Sequence, residues 1–514
     1  MSEQIAKNPV NSSFGFPVEA DYRRFRDALE AANFTEAGIR SALGNEDFQS
    51  LTGNDVALVL HRTKDETKLS ALIRLFLIEA TVDKDAARAA LAPMDLETLV
   101  EAGVVRVEGE AVRAAIELRP CRGFLAAHDP PRRLHSPEGT DYVMGIGLSS
   151  LSLGNLTVRR PSRLSLDLGT GCGVQALLAA RHSEKVICVD RNPRAVAFAS
   201  SNAKLNGLTN VECREGDLFE PVRGLLFDLI VSNPPFVISP ESRYIFRDGG
   251  MEGDAICRHI AGEAPRFLAE GGYFQMLCNW VEPAGENWRE RLAGWFEGSG
   301  CDAWVLHTKR YDPADYASLW IRHTERDSHQ EYLRRFEEWI AYYDRLGIGG
   351  MGGGIITLRK AGGRPNWFRA DEAPEKTVEA GGEAILLGFE LYDFLQTVRE
   401  DAALLEARAH VSPYTVLDRV SAPFQGKWSD LAMELRLTRG LAYTAKLDGP
   451  MANFLACCDG EHPLGELLAK MSASLGVDPA AIAHSFCGLA RRLIEMGFLL
   501  PPHLLPAEPE NGDR

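Results

Sequence analysis

The amino-acid sequence predicts an α/β protein with a doubly wound, largely parallel sheet and a helical, winged-helix-like domain on either side of it in the chain. Three observations predict this fold. Short apolar runs alternate with helical patterns from about residue 122 to residue 360, as in successive βαβ units. Before and after this region, helical patterns end in short β-rich runs. A chain of 514 residues also favours three domains over one.

The first predicted domain spans residues 1–120. Apolar residues recur at helical spacing over 21–34 and 68–81. A later helix closes at Gly103, and two short β-rich runs follow around the turn Glu108-Gly109-Glu110. Helices followed by a small hairpin suggest a winged-helix module, a type that binds nucleic acid in some proteins and other proteins elsewhere.

The second predicted domain, residues 121–360, holds the alternating strands and helices. A charged helical stretch over residues 329–346 leads into a glycine-rich turn and a final strand over residues 353–360. The clearest of the earlier strands are Arg163–Gly169, Lys185–Asp190, Phe227–Asn233, Gly272–Asn279 and Asp302–Thr308.

The third predicted domain, residues 361–507, is an α+β unit that ends like the first domain. A helix closes before Gly497 and a short apolar strand follows it, which suggests a second winged-helix-like unit. Residues 508–514 form a polar tail that we expect to be disordered.

Composition excludes several classes of protein. Hydrophobic residues make up 45% and charged residues 25%, a globular balance that excludes a disordered or fibrous protein. No run reaches the roughly 18 apolar residues of a membrane span, and the N-terminus lacks the apolar core of a secretory signal. We therefore expect a soluble, cytoplasmic protein without a membrane partner. The net charge of −16 argues weakly against broad contact with a polyanion.

The ten cysteines give no sign of a metal site. They are scattered, none forms a C-x-x-C pair, and none stands at zinc-ligand spacing with a histidine. We expect reduced thiols that act as small core residues.

The strongest chemical signal begins where a buried strand ends at Asp167. Gly169, Gly171 and Gly173 follow before a helix starts. Glycines let the backbone approach a ligand closely and turn sharply from strand to helix. Their spacing departs from G-x-G-x-x-G, which weakens a nicotinamide or flavin interpretation.

Two acidic residues follow in the order expected of a nucleoside site. Asp190 ends the second strand, 23 residues after Asp167, and there it can accept hydrogen bonds from both ribose hydroxyls. Asp217 stands just past the expected third strand. An ordinary surface acid explains Asp190 or Asp217 taken alone. It does not explain the glycine loop and both acids in this order.

The most specific motif is Asn233-Pro234-Pro235-Phe236, which directly follows an apolar strand. Its prolines remove two amide donors, so the loop offers carbonyls. The Asn233 side-chain oxygen and the Pro234 carbonyl can each accept one hydrogen of an incoming NH₂ group, while Phe236 stacks on a planar acceptor. Such a site acts by orientation and electrostatic stabilisation more than by acid–base catalysis.

Together these motifs resemble those of class I S-adenosylmethionine-dependent methyltransferases of the [N/D]-P-P-[F/Y/W] branch, in the small-domain methyltransferase superfamily. The resemblance covers roughly residues 141–360 and implies a Rossmann-like sheet, S-adenosylmethionine as the cofactor and an N-methyltransferase activity. It implies a catalytic role for the residues Asn233, Pro234, Pro235 and Phe236. It implies cofactor contacts from Asp167, Gly169, Thr170, Gly171, Gly173, Asp190, Arg191, Asp217, Leu218 and Asn233. Gly145 and Gly147 are further candidates, in a segment that closes over the cofactor in such enzymes.

The methyl acceptor stays open between a glutamine amide in a protein and an exocyclic amine of an RNA base. The acidic charge favours protein, and so does the loop from Tyr244 to Gly250, which resembles the substrate loop of the glutamine enzymes. The candidate winged helices favour nucleic acid, although DNA is less expected. Tyr244 and Arg247 are the candidate substrate contacts, with a surface arginine paired to Asp248 as the alternative for Arg247.

Two other classes of function compete with an N-methyltransferase. One is a non-catalytic scaffold that binds S-adenosylmethionine or nucleic acid. The other is a nicotinamide-dependent oxidoreductase, which would bind NAD instead of S-adenosylmethionine.

Overall fold

The computed structural model describes residues 14–45, 48–51, 55–134, 136, 139–324, 328–374, 377–378 and 380–504. The chain divides into two compact units: unit 1 is Met1–Gly154 with Arg160–Glu372, and unit 2 is Asn155–Arg159 with Ala373–Arg514. The tail predicted to be disordered, residues 508–514, lies outside the described residues. Within those residues, no helix is long and apolar enough to cross a membrane.

Unit 1 begins with helices that pack around one apolar cluster. Thr35, Thr67 and Asp95 cap three of these helices by accepting a backbone N–H with their side chains. The helices are α1 Glu19–Ala31, α2 Glu36–Leu43, α3 Val56–Arg62, α4 Lys68–Leu77, α5 Lys84–Leu91 and α6 Leu96–Glu101. The strands are β1 Val82–Asp83, β2 Val105–Glu108, β3 Ala111–Ala114, β4 Glu117–Cys121 and β5 Phe124–His128.

The order of helices and hairpin in this part of unit 1 is the predicted one. Strands β1, β3 and β2 form an antiparallel sheet, and β4 pairs with β5. The winged-helix assignment and a separate domain over residues 1–120 stay predictions.

The centre of unit 1 is an eight-stranded sheet in the order β13-β11-β12-β10-β9-β6-β7-β8. Its strands are β6 Ser162–Leu168, β7 Ser183–Asp190, β8 Val211–Glu215, β9 Phe227–Ser232, β10 Leu268–Pro283, β11 Cys301–Tyr311, β12 Ile348–Lys360 and β13 Phe368–Glu372. In this order, the five strands β10, β9, β6, β7 and β8 are parallel to one another. Strand β12 is antiparallel to both of its neighbours, β10 and β11. This largely parallel α/β sheet confirms the predicted fold class.

Helices and apolar clusters cover both faces of the sheet. The side chains of β10 alternate between them: Phe274, Met276 and Trp280 pack with α11 and α12, whereas Val281 packs with α13 and α14. The helices are α7 Pro131–Leu134, α8 Leu148–Leu156, α9 Val174–Ala179, α10 Pro193–Leu205, α11 Ala255–Glu263, α12 Trp288–Phe296, α13 Pro313–Thr324 and α14 His329–Arg345.

The glycine-rich stretch after α14 is a strand, so the predicted turn there is wrong. Residues 348–360 form the single strand β12. The strand β13 follows it in the chain and pairs with β11 at the edge of the sheet. A Cβ at Gly352 would collide with the indole of Trp280, and one at Gly354 with the carbonyl oxygen of Leu306. These glycines therefore make room for a tryptophan and a close backbone across the sheet, where the sequence suggested a turn.

Unit 2 contains two small antiparallel sheets. One has the order β18-β14-β19 and the other β15-β16-β17. Its helices are α15 Gly381–Thr397, α16 Asp401–Glu406, α17 Gly449–Ala456, α18 Leu464–Leu475 and α19 Pro479–Glu495. Its strands are β14 Arg408–Val411, β15 Thr415–Phe424, β16 Lys427–Leu437, β17 Thr444–Leu447, β18 Asp459–Pro463 and β19 Leu499–Leu500. The predicted helix and strand around Gly497 are present as α19 and β19; the winged-helix interpretation stays a prediction.

The cysteines are mostly core residues. Eight of the ten are buried, Cys213 is half-buried and Cys457 is exposed. Burial raises the pKa of the thiols of Cys121 and Cys301 to about 11.

Candidate active site

The carboxyl ends of β6, β7 and β9 meet at one edge of the sheet. Leu168 of β6 pairs with Val189 of β7 and with Ser232 of β9. The Ser232 hydroxyl also donates a hydrogen bond to the Leu168 carbonyl over 2.9 Å. The loops that follow these strands are thereby brought together, as is usual for ligand sites in parallel sheets.

A cavity of about 1090 Å³, open to solvent, lies at this edge. This volume includes open solvent at the mouth of the cavity. Most of the predicted site residues line it, namely Asp167, Gly169, Thr170, Gly171, Asp190, Arg191, Asp217, Leu218, Asn233 and Pro235.

Asp167 closes the glycine loop onto the end of β6. Its Oδ2 accepts hydrogen bonds from the Thr170 hydroxyl at 2.6 Å and from the Ala176 N–H at 3.0 Å. Burial raises the pKa of the Asp167 carboxyl to about 7, although both hydrogen bonds favour its charged form. The carboxyl therefore titrates near neutral pH.

Two of the three glycines open the backbone to the cavity. Gly169 and Gly171 have φ values of +72° and +54°, and a Cβ at either would meet no atom within 4 Å. Gly173 differs, because its Cβ would lie 3.1 Å from Ala199 on α10. Gly173 therefore allows close packing of α10 and is not among the residues that line the cavity; its contact with a cofactor stays a prediction.

Asp190 has capacity for further hydrogen bonds. Its Oδ2 accepts the Gly171 N–H and its Oδ1 accepts the Asn192 N–H, each at 2.9 Å. A carboxylate offers about four acceptor positions, so a hydroxyl donor can still be accommodated. Burial also raises the pKa of Asp190.

The loop after β8 brings a third acid to the cavity wall. Asp217 is exposed and stands before Leu218, whose φ is +46°. A leucine in this left-handed region is strained, and such strain is common at ligand sites.

Asn233 lines the cavity and carries a buried acceptor atom. It is the first residue after β9, and its Oδ1 is buried without a hydrogen-bond partner among the described residues. A buried polar atom without a partner costs free energy, so native structures retain few of them. A ligand that donates a hydrogen bond would satisfy this atom.

Of the other members of the motif, Pro235 also lines the cavity. Pro234 is buried, and Phe236 is half-buried with its ring edge-on to Trp320 at 6.2 Å between centroids. Neither lines the cavity. The Pro234 carbonyl contact and the stacking of Phe236 on an acceptor stay predictions.

Arg247 is not the surface arginine of the alternative interpretation. It is 2% exposed, and its guanidinium donates to Asp248 at 2.7 Å and to Glu241 at 3.1 Å. Tyr244 is buried as well, with the Arg247 guanidinium 4.9 Å from its ring centroid. Neither residue lines the cavity, so both hold the loop together; direct contact with an acceptor stays a prediction that their burial disfavours.

Sequence reasoning missed part of the cavity wall. Tyr142, Val143 and Met144 line it, as does Asn192. The Val143 N–H is held by the buried carboxylate of Asp129 at 2.9 Å. An acid in an otherwise apolar stretch was the available signal, but nothing in its spacing tied it to the glycine loop.

Of the two further glycine candidates, only Gly145 lines the cavity. A Cβ at this position would collide with the imidazole ring of His128. Gly147 has open space around it.

Family models match three parts of the chain. The model described as methyltransferase small domain matches residues 147–295. Two models described as domains of unknown function match residues 31–115 and 388–501.

Several relatives are named release factor glutamine methyltransferase. The one from Geobacter sulfurreducens is 31% identical over 216 residues, which are 37% of this chain and 74% of the relative. The one from Xylella fastidiosa is 38% identical over 133 residues, 23% of this chain and 47% of the relative. The one from Escherichia coli is 33% identical over 159 residues, 28% of this chain and 55% of the relative. The chain thus spans about half the length of the latter two.

Solved structures of lower similarity include wild-type Trm5b from Pyrococcus abyssi and a geranyl diphosphate methyltransferase in complex with SAM. The first is 16% identical with a TM-score of 0.29, covering 50% of this chain and 62% of that one. The second is 16% identical with a TM-score of 0.28, covering 41% and 84%. Scores this low carry no weight for function.

Proposed function

The chain belongs to the S-adenosylmethionine-dependent methyltransferases with a methyltransferase small domain, and from this premise we propose that it methylates the side-chain amide nitrogen of a glutamine in a protein. The observation that carries the proposal is the buried, unpaired Oδ1 of Asn233 at the cavity.

The residues around the cavity fit S-adenosylmethionine. Gly169 and Gly171 leave open space where a Cβ would stand, and Asp167 offers a carboxylate beside them. Asp190 can accept a further hydrogen bond, from a ribose hydroxyl, and Asp217 would accept one from the adenine amino group. When bound, the cofactor supplies a methyl group on a positively charged sulfur.

Asn233 would orient the acceptor. A primary amide has two N–H donors, and Asn233 Oδ1 can accept one of them without giving up an existing partner. Ser232 holds this position by its hydrogen bond to Leu168 at the end of β6. A fixed acceptor of this kind aligns the nitrogen and stabilises the positive charge that develops on it.

The names of the relatives favour glutamine over an RNA base as the acceptor. All three are named for a glutamine of a release factor. The net charge of −16 also favours a protein acceptor over a polyanion. A peptide chain release factor is therefore the substrate that we propose.

The test is methyl transfer from tritiated S-adenosylmethionine to an unmethylated release factor, with the Asn233→Ala variant beside the native chain. We expect the variant to lose at least about a hundredfold in kcat, the scale of one lost oriented donor–acceptor contact in an active site. Its affinity for S-adenosylmethionine, measured by calorimetry, should change less than about threefold.

Asn287→Ala is the control, because Asn287 is exposed at the start of α12. It should retain native activity. Mass spectrometry of the product should place the methyl group on a glutamine. Normal turnover by Asn233→Ala, or label that nuclease removes and protease does not, would contradict the proposal.

A further inference from the structure

The helical pair α13–α14 lies between β11 and β12, outside residues 147–295 that match the methyltransferase model. Its side chains contact the segment that follows Phe236. We call residues 237–253 the acceptor loop.

Two tyrosine hydroxyls hold both backbone groups of Ile238. The Ile238 N–H donates to the Tyr316 hydroxyl of α13 at 3.1 Å, and the Tyr343 hydroxyl of α14 donates to the Ile238 carbonyl at 2.9 Å. Both tyrosines are buried, with 0% and 1% of their surface exposed. Tyr316 also accepts from the Asn279 side chain on β10 at 2.7 Å, which ties it to the central sheet.

The helix α14 also holds the acceptor loop at Glu241. This carboxylate accepts from Arg335 and from the Trp339 indole, each at 3.2 Å, and from Arg247 of the loop at 3.1 Å. Arg335, Trp339 and Tyr343 stand four residues apart, so they share one face of α14.

The far end of the loop is held in the same way. The Gly253 N–H donates to the Tyr342 hydroxyl at 2.8 Å, and Arg345 pairs with Glu252 at 2.7 Å. One helix thus contacts the acceptor loop at its start, its middle and its end.

We propose that α13 and α14 form a brace for the acceptor loop, and that Tyr316 and Tyr343 are positioning residues for methyl transfer; the kinetic part of this inference rests on the proposed function. The motif from Asn233 to Phe236 is then fixed at both ends. Ser232 holds its start through Leu168, and Ile238 holds its end through the two tyrosines. Since small displacements of a reacting group are costly, loss of one tyrosine hydroxyl shifts Asn233 and slows transfer.

The experiment compares Tyr343→Phe with Tyr332→Phe. Tyr332 lies on the same helix, but its hydroxyl donates to Ser318 of α13 at 3.0 Å instead of to the loop. Both variants lose one hydroxyl and keep the ring. Hydrogen–deuterium exchange of the full-length protein reports loop order without any acceptor. Steady-state kinetics with S-adenosylmethionine and an unmethylated release factor report positioning.

In Tyr343→Phe we expect exchange of amides in residues 237–250 to rise at least about tenfold. We expect kcat to fall by about 10- to 100-fold, while the Kd for S-adenosylmethionine stays within about twofold. In Tyr332→Phe, the amide exchange of the loop, kcat and the Kd for S-adenosylmethionine should all stay native. If Tyr343→Phe does not fold, Tyr316→Phe tests the other contact, at the amide of Ile238.

Native exchange in the loop of Tyr343→Phe would overturn the brace. Raised exchange with native kcat would overturn the positioning role. If the native chain does not methylate the release factor, the proposed function fails, and the exchange comparison still decides whether the brace exists.

Discussion

At the scale of single residues, we expect the buried carboxyl of Asp167 to make cofactor binding sensitive to pH near neutrality. Burial raises its pKa to about 7. An unfolded chain releases this proton near pH 4, so the folded form is favoured at low pH and loses that advantage as pH rises towards 7. Cofactor affinity should follow the opposite trend, because the methionine part of S-adenosylmethionine carries positive charge and prefers the ionised carboxylate.

We expect the Kd for S-adenosylmethionine to rise about eightfold when the pH falls from 7.5 to 6, since the ionised fraction of a group with a pKa near 7 falls by that factor. Asp167→Asn should bind more weakly with little dependence on pH over this range. Isothermal titration calorimetry at four pH values measures both. An equal pH dependence in the asparagine variant would assign the effect to another group.

Residue type and order were enough to predict much of the candidate site. Asp167, Gly169, Asp190 and Asn233 all line the cavity, because each lies at or next to the carboxyl end of a parallel strand. Arg247 shows the limit. The partner Asp248 was visible in the sequence, but Arg247 is also covered by Trp339 of the helix α14, which is distant in the chain.

At the scale of elements, the glycines of β12 let one strand pack where a side chain would not fit. Gly354→Ala places a Cβ against the Leu306 carbonyl, a backbone atom that cannot rotate away. We expect a loss of about 1–3 kcal/mol in the free energy of unfolding, the usual cost of overpacking. Urea denaturation measures it.

Gly294→Ala is the matched control for this variant. Gly294 lies in α12, where an added Cβ would meet no atom within 4 Å, so alanine should stabilise the protein by about 0.5–1 kcal/mol through helix propensity. Equal destabilisation by the two variants would show that loss of glycine flexibility, and not collision, is the cause.

Strand positions followed from apolar runs, and five of them agree with the structure within a few residues. The glycine-rich run was misassigned because periodicity carries no information on what lies across a sheet. The pairing of Trp280 with Gly352 is set by strands that are far apart in sequence. The proposed brace was not predicted for the same reason. The sequence predicted the helix α14 but not the residues that its polar side chains contact.

At the scale of the whole molecule, the described cavity belongs entirely to unit 1. Saturating S-adenosylmethionine should therefore slow hydrogen exchange in peptides that contain the strand ends at residues 167–173, 190–192 and 216–218. Peptides of residues 380–504 should keep their native exchange. Mass spectrometry of pepsin digests with and without cofactor measures this. Equal protection in unit 2 would contradict a cofactor site confined to unit 1.

The division into three domains stays a prediction, but the α/β sheet was predictable at this scale from alternating patterns. The end of unit 1 was not predictable from the sequence, because β13 follows a stretch that carries no long apolar run. This strand joins the sheet beside β11, and only three-dimensional pairing shows that the sheet continues to Glu372.

The uneven exposure of the thiols has a practical consequence. Burial raises the pKa of Cys172 and Cys458 to about 12, so maleimide reagents at neutral pH meet few thiolates there. Cys457 is the exposed cysteine among the ten. A fluorophore can therefore be attached preferentially at Cys457, a natural position in unit 2 that is not among the residues lining the cavity.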